Sequence, residues 1–487
     1  MKKKTYHLLA ALAIGAAMAV ACHPDPVPNN NEEQGNEQGN EQGNEQNPVD
    51  LEPFTCTASA GSENRIFDGN PVYTLTLKNP NEVAATAEIK MTVVQANKMA
   101  KKVATITLEK EVAAKGTETV TLTPEEPLEP GFYRISGKVD RNTFLASTTI
   151  GVSPDKITYD MSDKQADFNT YWNGVIAQLE AVDMNPRLVE VTSHSSSARK
   201  VYFVELKSIA NGKEGEPETI HGYYVEPQTG DNHPVIMHFE GYDTQPPYGS
   251  IPKMYCPYGG SSAEYAEFYV STRGQMINAR SASLREDGLT DENFENTYGD
   301  WFAYGFGDLD SYYYRGAFMD CVQCIRFMVS RKTAGGASLC DRKRLYAEGK
   351  SQGGAFSYAA AALSPYPLRA IAPGVAFLGD FKEYFNIVDW PGNTAQTSAK
   401  KAGMTNDEMY TFLSYFDTKN LATRIPASTS VIANIGLLDT TCPPLTNQAP
   451  FNTVSTTDKE MYYYPNMGHS VPDGWQAKYE AFFAKRK

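Results

Sequence analysis

Apolar and polar residues alternate along residues 51–153 of this 487-residue chain. In residues 88–93, for example, Ile89, Met91 and Val93 alternate with charged or hydroxyl-bearing neighbours. Similar runs recur along the segment, separated by turn sequences such as Glu-Pro-Gly at residues 129–131. Because a period of two places one face of a strand in a core and the other in water, it predicts a small immunoglobulin-like β-sandwich. No cluster of aromatic residues marks a sugar site on it, which favours a spacer or docking module over a binding module.

The pattern changes at residue 154. Phe168, Trp172, Val175 and Leu179 recur at helical spacing, and Ser-Asp-Lys-Gln at residues 162–165 has the form of a capping box that begins this helix. The apolar runs that follow predict buried strands at residues 235–237, 268–270, 345–347, 371–377 and 431–438, and helices at 318–328 and 355–362. Strands that are buried on both faces and joined by helices predict a doubly wound, mostly parallel α/β sheet over residues 154–487.

The first residues have the form of an export signal. Lys2, Lys3 and Lys4 precede an apolar run, residues 8–20, that is too short to span a bilayer. Ala-Val-Ala-Cys at residues 19–22 resembles the lipobox of bacterial lipoproteins, which implies removal of residues 1–21 and lipidation of Cys22. Cleavage near Ala21 to give a soluble secreted protein is the alternative. We expect an exported lipoprotein, anchored in the outer membrane on its periplasmic or cell-surface face.

The formal charge of −14 is unevenly distributed. Residues 23–50 contain seven Asp or Glu residues and no Lys or Arg, and their Asn-Glu-Gln-Gly repeats offer little apolar surface to bury. This composition predicts a disordered acidic tether over residues 22–50. The rest of the chain is mildly acidic, which argues against nucleic acid as a partner, because phosphates require a basic surface.

Residues 349–353, Gly-Lys-Ser-Gln-Gly, are the only Gly-x-Ser-x-Gly sequence in the chain. A predicted strand precedes them and a helix of small residues follows. This strand–turn–helix order is typical of the nucleophile elbow of α/β-hydrolases, in which a sharp turn exposes the serine hydroxyl at the edge of the sheet. We therefore predict Ser351 as a catalytic nucleophile.

A serine hydroxyl needs a base to remove its proton, and in this fold the base follows the nucleophile in the chain. Of the seven histidines, only His469 follows Ser351. The third catalytic group is a carboxylate that orients the imidazole, and it stands just past the end of a strand. Asp439 directly follows the apolar run 431–438, whereas Asp380 is the second choice and Asp458 has no strand before it. We predict Asp439.

The tetrahedral intermediate needs amide donors for its oxyanion. One is expected to be the backbone N–H of Gln352, directly after the nucleophile. The other comes from the loop after an earlier strand, where residues 238–242 make the amide of Tyr242 the candidate.

The sequence offers no sign of a cofactor. It contains no phosphate-binding Gly-rich loop, dinucleotide fingerprint or zinc-spaced histidine cluster. Cys321 and Cys324 have the spacing of half a zinc site, but they fall on an apolar helical run and lack a second pair, so buried thiols are expected. We expect neither a cofactor nor a metal.

These motifs together resemble the acetyl xylan esterases and cephalosporin C deacetylases of carbohydrate esterase family seven. The resemblance extends from about residue 155 to the C-terminus and includes residues 241–242, 272–275, 313–316, 349–354, 436–439, 442–444 and 468–469. It implies deacetylation of acetylated sugars such as xylan, with Ser351, Asp439 and His469 as the catalytic triad and the Tyr242 and Gln352 amides as the oxyanion hole. Lys350, Met276 and Ser470 depart from the family pattern. Family members are often hexamers, but the added β-domain leaves the oligomeric state open.

Two other functions remain in competition. A serine peptidase of the prolyl-oligopeptidase type has the same fold and triad order, but residues 51–153 are too few for its usual propeller domain. A catalytically inactive, glycan-binding surface lipoprotein is the other alternative, against which the complete set of triad residues argues.

Overall fold

Eight strands follow one another between residues 55 and 152 in the computed structural model, which describes residues 51–242, 264–275 and 298–486. They are β1 (Thr55–Ala60), β2 (Ile66–Phe67), β3 (Tyr73–Lys78), β4 (Ala85–Gln95), β5 (Lys102–Val112), β6 (Thr117–Leu122), β7 (Gly131–Val139) and β8 (Asn142–Val152). One sheet has the order β1-β3-β6 and the other β2-β8-β7-β4-β5. Their inner faces share a core that includes Leu75, Ile89 and Ile135, which confirms the predicted β-sandwich.

A third sheet follows, with nine strands in the residues that the structure describes. Its strands are β9 (Arg187–Glu190), β10 (Arg199–Ala210), β11 (Pro217–Pro227), β12 (His233–Phe239), β13 (Ala266–Ser271), β14 (Cys340–Lys350), β15 (Ala370–Gly374), β16 (Ser430–Gly436) and β17 (Lys459–Tyr464). The order is β17-β16-β15-β14-β12-β13-β11-β10-β9. Every pair from β13 to β17 is parallel, and the three pairs at the other end are antiparallel. This confirms the α/β-hydrolase sheet, although β15 ends at Gly374, earlier than the apolar run to residue 377 predicted.

Helices cover both faces of this sheet. In the described residues they are α1 (Phe168–Ala181), α2 (Tyr313–Ser330), α3 (Gln352–Leu363), α4 (Phe381–Ile387), α5 (Gly392–Lys401), α6 (Asn406–Ser414), α7 (Thr418–Ala422), α8 (Pro444–Thr453) and α9 (Trp475–Ala484). The larger core lies between the sheet and α1, α2 and α3, and a smaller one lies under α9 on the opposite face. Burial on both faces explains why these strands are continuously apolar.

The capping box predicted at residues 162–165 is wrong. Helix α1 begins only at Phe168, and its N-cap residue, Asp167, makes no side-chain capping bond. The side chain of Gln165 instead donates to the carbonyl oxygen of Asp163, 2.6 Å away. The apolar face at helical spacing, not the polar sequence before it, determines where this helix lies.

The β-sandwich packs against the carboxyl-terminal part of the chain, and residues from Glu52 onward form one compact unit. Phe132 of β7 is buried against Ile435 and Leu437 at the end of β16. The guanidinium of Arg65 donates to the carbonyl oxygen of Pro465 at 3.1 Å, and the backbone N–H of Lys98 donates to the carbonyl oxygen of Asn386 at 3.0 Å. Whether residues 51–153 and 154–487 are separate domains therefore stays a prediction.

The export signal, Cys22 and the tether all lie in residues 1–50, outside the described residues. Within the part of the chain that the structure describes, no helix has the length and apolarity needed to cross a membrane. Cys321 and Cys324 are buried on α2, with the thiol of Cys321 directed at the carbonyl oxygen of Ala317.

Candidate active site

Ser351 lies in the turn between β14 and α3. Its φ of 58° and ψ of −120° fall outside the regions that a residue with a side chain normally occupies, so the turn is strained. Backbone hydrogen bonds hold it in place: the N–H of Ser351 donates to Gly374 at 2.9 Å, and its carbonyl oxygen accepts from Phe377 at 3.0 Å. The turn exposes the hydroxyl at the carboxyl edge of the sheet, as in a nucleophile elbow.

The two glycines of the motif are required by close packing around this turn. A Cβ on Gly353 would lie 2.1 Å from the carbonyl oxygen of Phe239. A Cβ on Gly349 would lie 2.6 Å from the carbonyl group of Gly353. Both distances are far inside van der Waals contact, so only glycine lets α3 begin this close to β12.

Ser351, His469 and Asp439 form one hydrogen-bonded chain. His469 Nε2 lies 2.9 Å from Ser351 Oγ, and His469 Nδ1 lies 2.8 Å from Asp439 Oδ2. Because the carboxylate can only accept, Nδ1 carries the proton and Nε2 is free to accept the hydroxyl proton. The other carboxylate oxygen accepts the backbone N–H groups of Thr441 and Cys442, both at 2.8 Å. The structure thus brings the three predicted residues together.

The loops that carry the base and the acid are joined by their backbones. The N–H of Leu438 donates to the carbonyl oxygen of Met467 at 2.9 Å, and a Cβ on Gly436 would lie 2.3 Å from the carbonyl oxygen of Gly468. Glycine at position 436 therefore allows the His469 loop to lie directly on the end of β16.

The other two acids considered have different partners. Asp380 is buried and accepts from Lys419 Nζ at 3.2 Å. Asp458 accepts from the hydroxyl of Ser430 and forms an ion pair with Arg486. Neither carboxylate contacts His469, which leaves Asp439 as its partner.

The two predicted oxyanion donors flank Ser351. Gln352 is the first residue of α3, where backbone N–H groups lack partners within the helix. The loop that follows β12 also lies beside Ser351, because a Cβ on Gly241 would lie 4.0 Å from the Cβ of Ser351. Gln275 Nε2 donates to the carbonyl oxygen of Gly241 at 3.1 Å. Since C=O and N–H point in opposite directions across a trans peptide, this bond turns the N–H of Tyr242 away from Gln275.

A buried network around Arg273 supports this loop. The guanidinium and the backbone N–H of Arg273 donate to both oxygens of Asp320, at 2.7–3.0 Å. Tyr313 Oη donates to the carbonyl oxygen of Arg273 at 2.9 Å, and Tyr314 Oη donates to Gln352 Oε1 at 2.9 Å. A Cβ on Gly316 would lie 2.1 Å from Arg273 Nη1, so the glycine makes room for the guanidinium. The motifs at residues 272–275 and 313–316 are therefore one structural unit.

Sequence reasoning missed an aromatic surface beside the site. The ring of Trp390 stacks on that of Phe377 at 5.2 Å between centroids and meets the edge of Tyr242 at 5.4 Å. Trp390 is 37% exposed, which is unusual for so large a side chain. A single tryptophan in a segment without apolar periodicity gave no signal that it would lie here.

Sequence reasoning also missed a buried charge cluster behind the elbow. His238 on β12 hydrogen-bonds Glu348 on β14 at 2.7 Å and Glu267 on β13 at 3.0 Å. Burial alone would lower the pKa of His238, but the two carboxylates outweigh it and raise that pKa to about 10. Burial raises the pKa of Glu267 to about 7. Glu348 lies directly opposite His238 in the register of β12 and β14, whereas Glu267 lies on β13 two residues before the position opposite His238. Only the register of the strands reveals this relationship.

Comparison with known proteins agrees with this geometry. The sequence profile of the acetyl xylan esterase family (AXE1) matches residues 155–487, which include all three residues of the hydrogen-bonded chain. Acetyl esterase Axe7A of Xylanibacter ruminicola is 24% identical over 355 residues, covering 70% of this chain and 71% of that protein.

Two solved structures resemble the chain. Acetyl xylan esterase 1 from Thermoanaerobacterium sp. JW/SL YS485 has a TM-score of 0.54 and 26% identity, over 66% of this chain and 93% of that one. An acetyl xylan esterase from Paenibacillus sp. R4 has the same fold, with a TM-score of 0.56 and 24% identity, over 69% of this chain and 98% of that one. These similarities do not favour a peptidase or an inactive glycan-binding protein. The chain is a carboxylic ester hydrolase of the α/β-hydrolase fold and belongs to the acetyl xylan esterase family.

Proposed function

We propose that the protein removes acetyl groups from xylan or xylo-oligosaccharides through an acyl-enzyme on Ser351. The observation that carries the proposal is the hydrogen-bonded chain from Ser351 through His469 to Asp439, built on a strained elbow. Family membership supports ester hydrolysis, and the names of the related acetyl xylan esterases support the acetyl group and the xylan.

In the first half of the reaction, Ser351 Oγ attacks the acetyl carbonyl carbon while His469 Nε2 takes the hydroxyl proton. Asp439 stabilises the imidazolium that forms and keeps the proton on Nδ1. His469 then gives its proton to the sugar oxygen, the ester C–O bond breaks, and the deacetylated sugar leaves.

In the second half, His469 removes a proton from water, and the hydroxide attacks the acetyl-serine. Collapse of this second intermediate releases acetate and returns the proton to Ser351 Oγ. In both intermediates the negative oxygen accepts from the backbone N–H groups of Gln352 and Tyr242, whose positions are fixed before substrate arrives.

The test is Ser351→Ala, with Ser470→Ala as the control, because Ser470 is an exposed serine in the His469 loop. Loss of the nucleophile is expected to lower kcat by about a million-fold, while the control stays near wild type. Acetate release from acetylated xylan and hydrolysis of p-nitrophenyl acetate are the readouts. Appreciable turnover by Ser351→Ala on either substrate would contradict the mechanism, and no acetate from xylan with wild type would contradict the substrate.

Export and lipidation at Cys22 complete the proposal. The basic start, the short apolar run and the lipobox-like residues 19–22 support it. Cys22→Ala is expected to move the protein from the membrane fraction to the soluble fraction and to abolish incorporation of labelled palmitate. Unchanged labelling in this variant would exclude Cys22 as the lipidated residue.

A further inference from the structure

A cleft of about 690 Å³ lies between the β-sandwich and the catalytic part of the chain. Gln95, Ser147 and Thr149 line it from the sandwich, and Val388, Leu438 and Thr440 line it from the opposite side. We call it the interface cleft. Its volume is in the range of small-molecule sites, which often lie between domains.

Two segments of the interface cleft lead to the catalytic residues. Leu438 and Thr440 flank Asp439, and the backbone of Leu438 is bonded to the loop that carries His469. On the other side, Val388 precedes Trp390, whose ring contacts Tyr242 and Phe377 beside Ser351. The interface cleft therefore lies next to two segments that carry residues of the catalytic site.

The sandwich holds one of these segments directly. The backbone N–H of Lys98 donates to the carbonyl oxygen of Asn386 at 3.0 Å, and Lys98 Nζ contacts the carbonyl oxygen of Phe385 at 2.9 Å and Asp389 at 2.8 Å. These contacts tie the turn between β4 and β5 to the residues just before Trp390. The sandwich thereby contributes to the position of the aromatic surface as well as to the cleft.

The chemistry of the lining favours a neutral, hydroxyl-rich ligand. The lining includes the hydroxyl and amide groups of Ser147, Thr149 and Gln95, apolar groups such as Leu438, and the carboxylate of Glu383, which can accept from a hydroxyl. Two cations at the cleft already have partners, since Lys98 pairs with Asp389 and Arg134 donates to the carbonyl oxygen of Asn97 at 3.1 Å. Paired cations offer little to an anion, whereas sugar hydroxyls both donate to and accept from such a lining.

We propose that the interface cleft binds the pentose units next to the acetylated one, so that the β-sandwich forms part of the polysaccharide site. The proposal rests on the proposed deacetylation of xylan and extends it. The family profile begins at residue 155, so the sandwich side of the cleft lies outside the part shared with the family.

The experiment compares Ser147→Arg, which projects a long side chain into the interface cleft, with Thr143→Arg, an exposed position on the same strand outside it. The measured quantity is the ratio of kcat/KM for acetylated xylo-oligosaccharides to kcat/KM for p-nitrophenyl acetate. For wild type and Thr143→Arg this ratio is expected to rise with oligosaccharide length. For Ser147→Arg it is expected to fall by about tenfold on the longest oligosaccharide, the effect of losing one or two hydrogen bonds.

A second measurement is independent of turnover. In a Ser351→Ala background, calorimetric titration with the oligosaccharide is expected to show weaker binding with Ser147→Arg than with Thr143→Arg. Equal ratios and equal affinities for the two arginine variants would overturn the proposal about the interface cleft but not the proposed deacetylation of xylan. Wild type that hydrolyses p-nitrophenyl acetate but no acetylated oligosaccharide would overturn the proposed substrate and the cleft proposal together.

Discussion

Gln275 donates a hydrogen bond from Nε2 to the carbonyl oxygen of Gly241 at 3.1 Å, and this bond fixes the peptide that contains the N–H of Tyr242. The same side chain is itself held, because its Oε1 accepts from the backbone N–H of Thr272 at 2.9 Å. The amide of Gln275 therefore connects the strand end after β13 to the loop beside Ser351.

Gln275→Ala is expected to lower kcat for p-nitrophenyl acetate by about a hundredfold, as when an oxyanion donor is lost, with little change in KM. The reason is that the Gly241–Tyr242 peptide is then free to rotate away from the oxyanion. Steady-state kinetics of this variant and of Gln228→Ala, at an exposed position, provide the test. Equal kcat in the two variants would rule out this role.

Asp320→Asn is expected to lower the free energy of unfolding by about 3–5 kcal/mol, because the guanidinium of Arg273 stays buried without its counter-charge. The ion pair is almost completely inaccessible to water, with side chains 1% and 0% exposed. Urea unfolding followed by tryptophan fluorescence measures the change. Asp68→Asn, at an exposed position, should leave stability unchanged, and an equally small change for Asp320→Asn would refute the prediction.

Two glycine-to-alanine changes should have opposite effects on the stability of the folded protein. Gly353→Ala places a methyl group 2.1 Å from the carbonyl oxygen of Phe239, so it is expected to cost about 2–3 kcal/mol or more and to distort the elbow. Gly174→Ala in α1 meets no atom within 4 Å and should stabilise the protein by about 0.5–1 kcal/mol. Thermal unfolding and esterase activity distinguish them, and a stable, active Gly353→Ala would contradict the packing described.

The His238 cluster should make stability depend on pH. The pKa of His238 is raised from 6.5 to about 10 in the folded protein, so its contribution is complete below about pH 6.5 and is lost as the pH rises through about 10. The pKa of Glu267 is raised from 4.5 to about 7, so the stability that Glu267 contributes is also lost as the pH rises, between these two values.

Glu348→Gln removes one of the two carboxylates that raise the pKa of His238, so the loss of stability with rising pH is expected to be smaller and to be complete at a lower pH. Melting temperatures measured across this pH range, with Glu111→Gln as an exposed control, give the comparison. The prediction is wrong if the Glu348→Gln curve is parallel to that of the control.

The sequence was sufficient to predict those parts of the molecule that depend on hydrophobic periodicity and on local turns. Alternation at Ile89 and Met91 predicted the sandwich, and the Gly-x-Ser-x-Gly sequence predicted the elbow at Ser351. Since only one histidine follows Ser351, the partner of the serine could also be predicted.

Other features could not be predicted because they depend on which strands and loops become neighbours. His238 and Glu267 meet only through the register of β12 and β13, and Lys98 reaches Asp389 only because the sandwich packs on the catalytic part. The start of α1 was misplaced because a Ser-x-x-Gln sequence is also compatible with an ordinary turn.

The packing of Phe132 on Ile435 and Leu437 has a practical consequence for anyone who trims this protein. A shortened enzyme that began near residue 155 would contain the whole family profile and every catalytic candidate. It would also uncover two aliphatic side chains that are now inaccessible to water, a few residues before Asp439. Such a fragment should be prone to self-association, and replacement of Ile435 and Leu437 by polar residues is the remedy that the structure suggests.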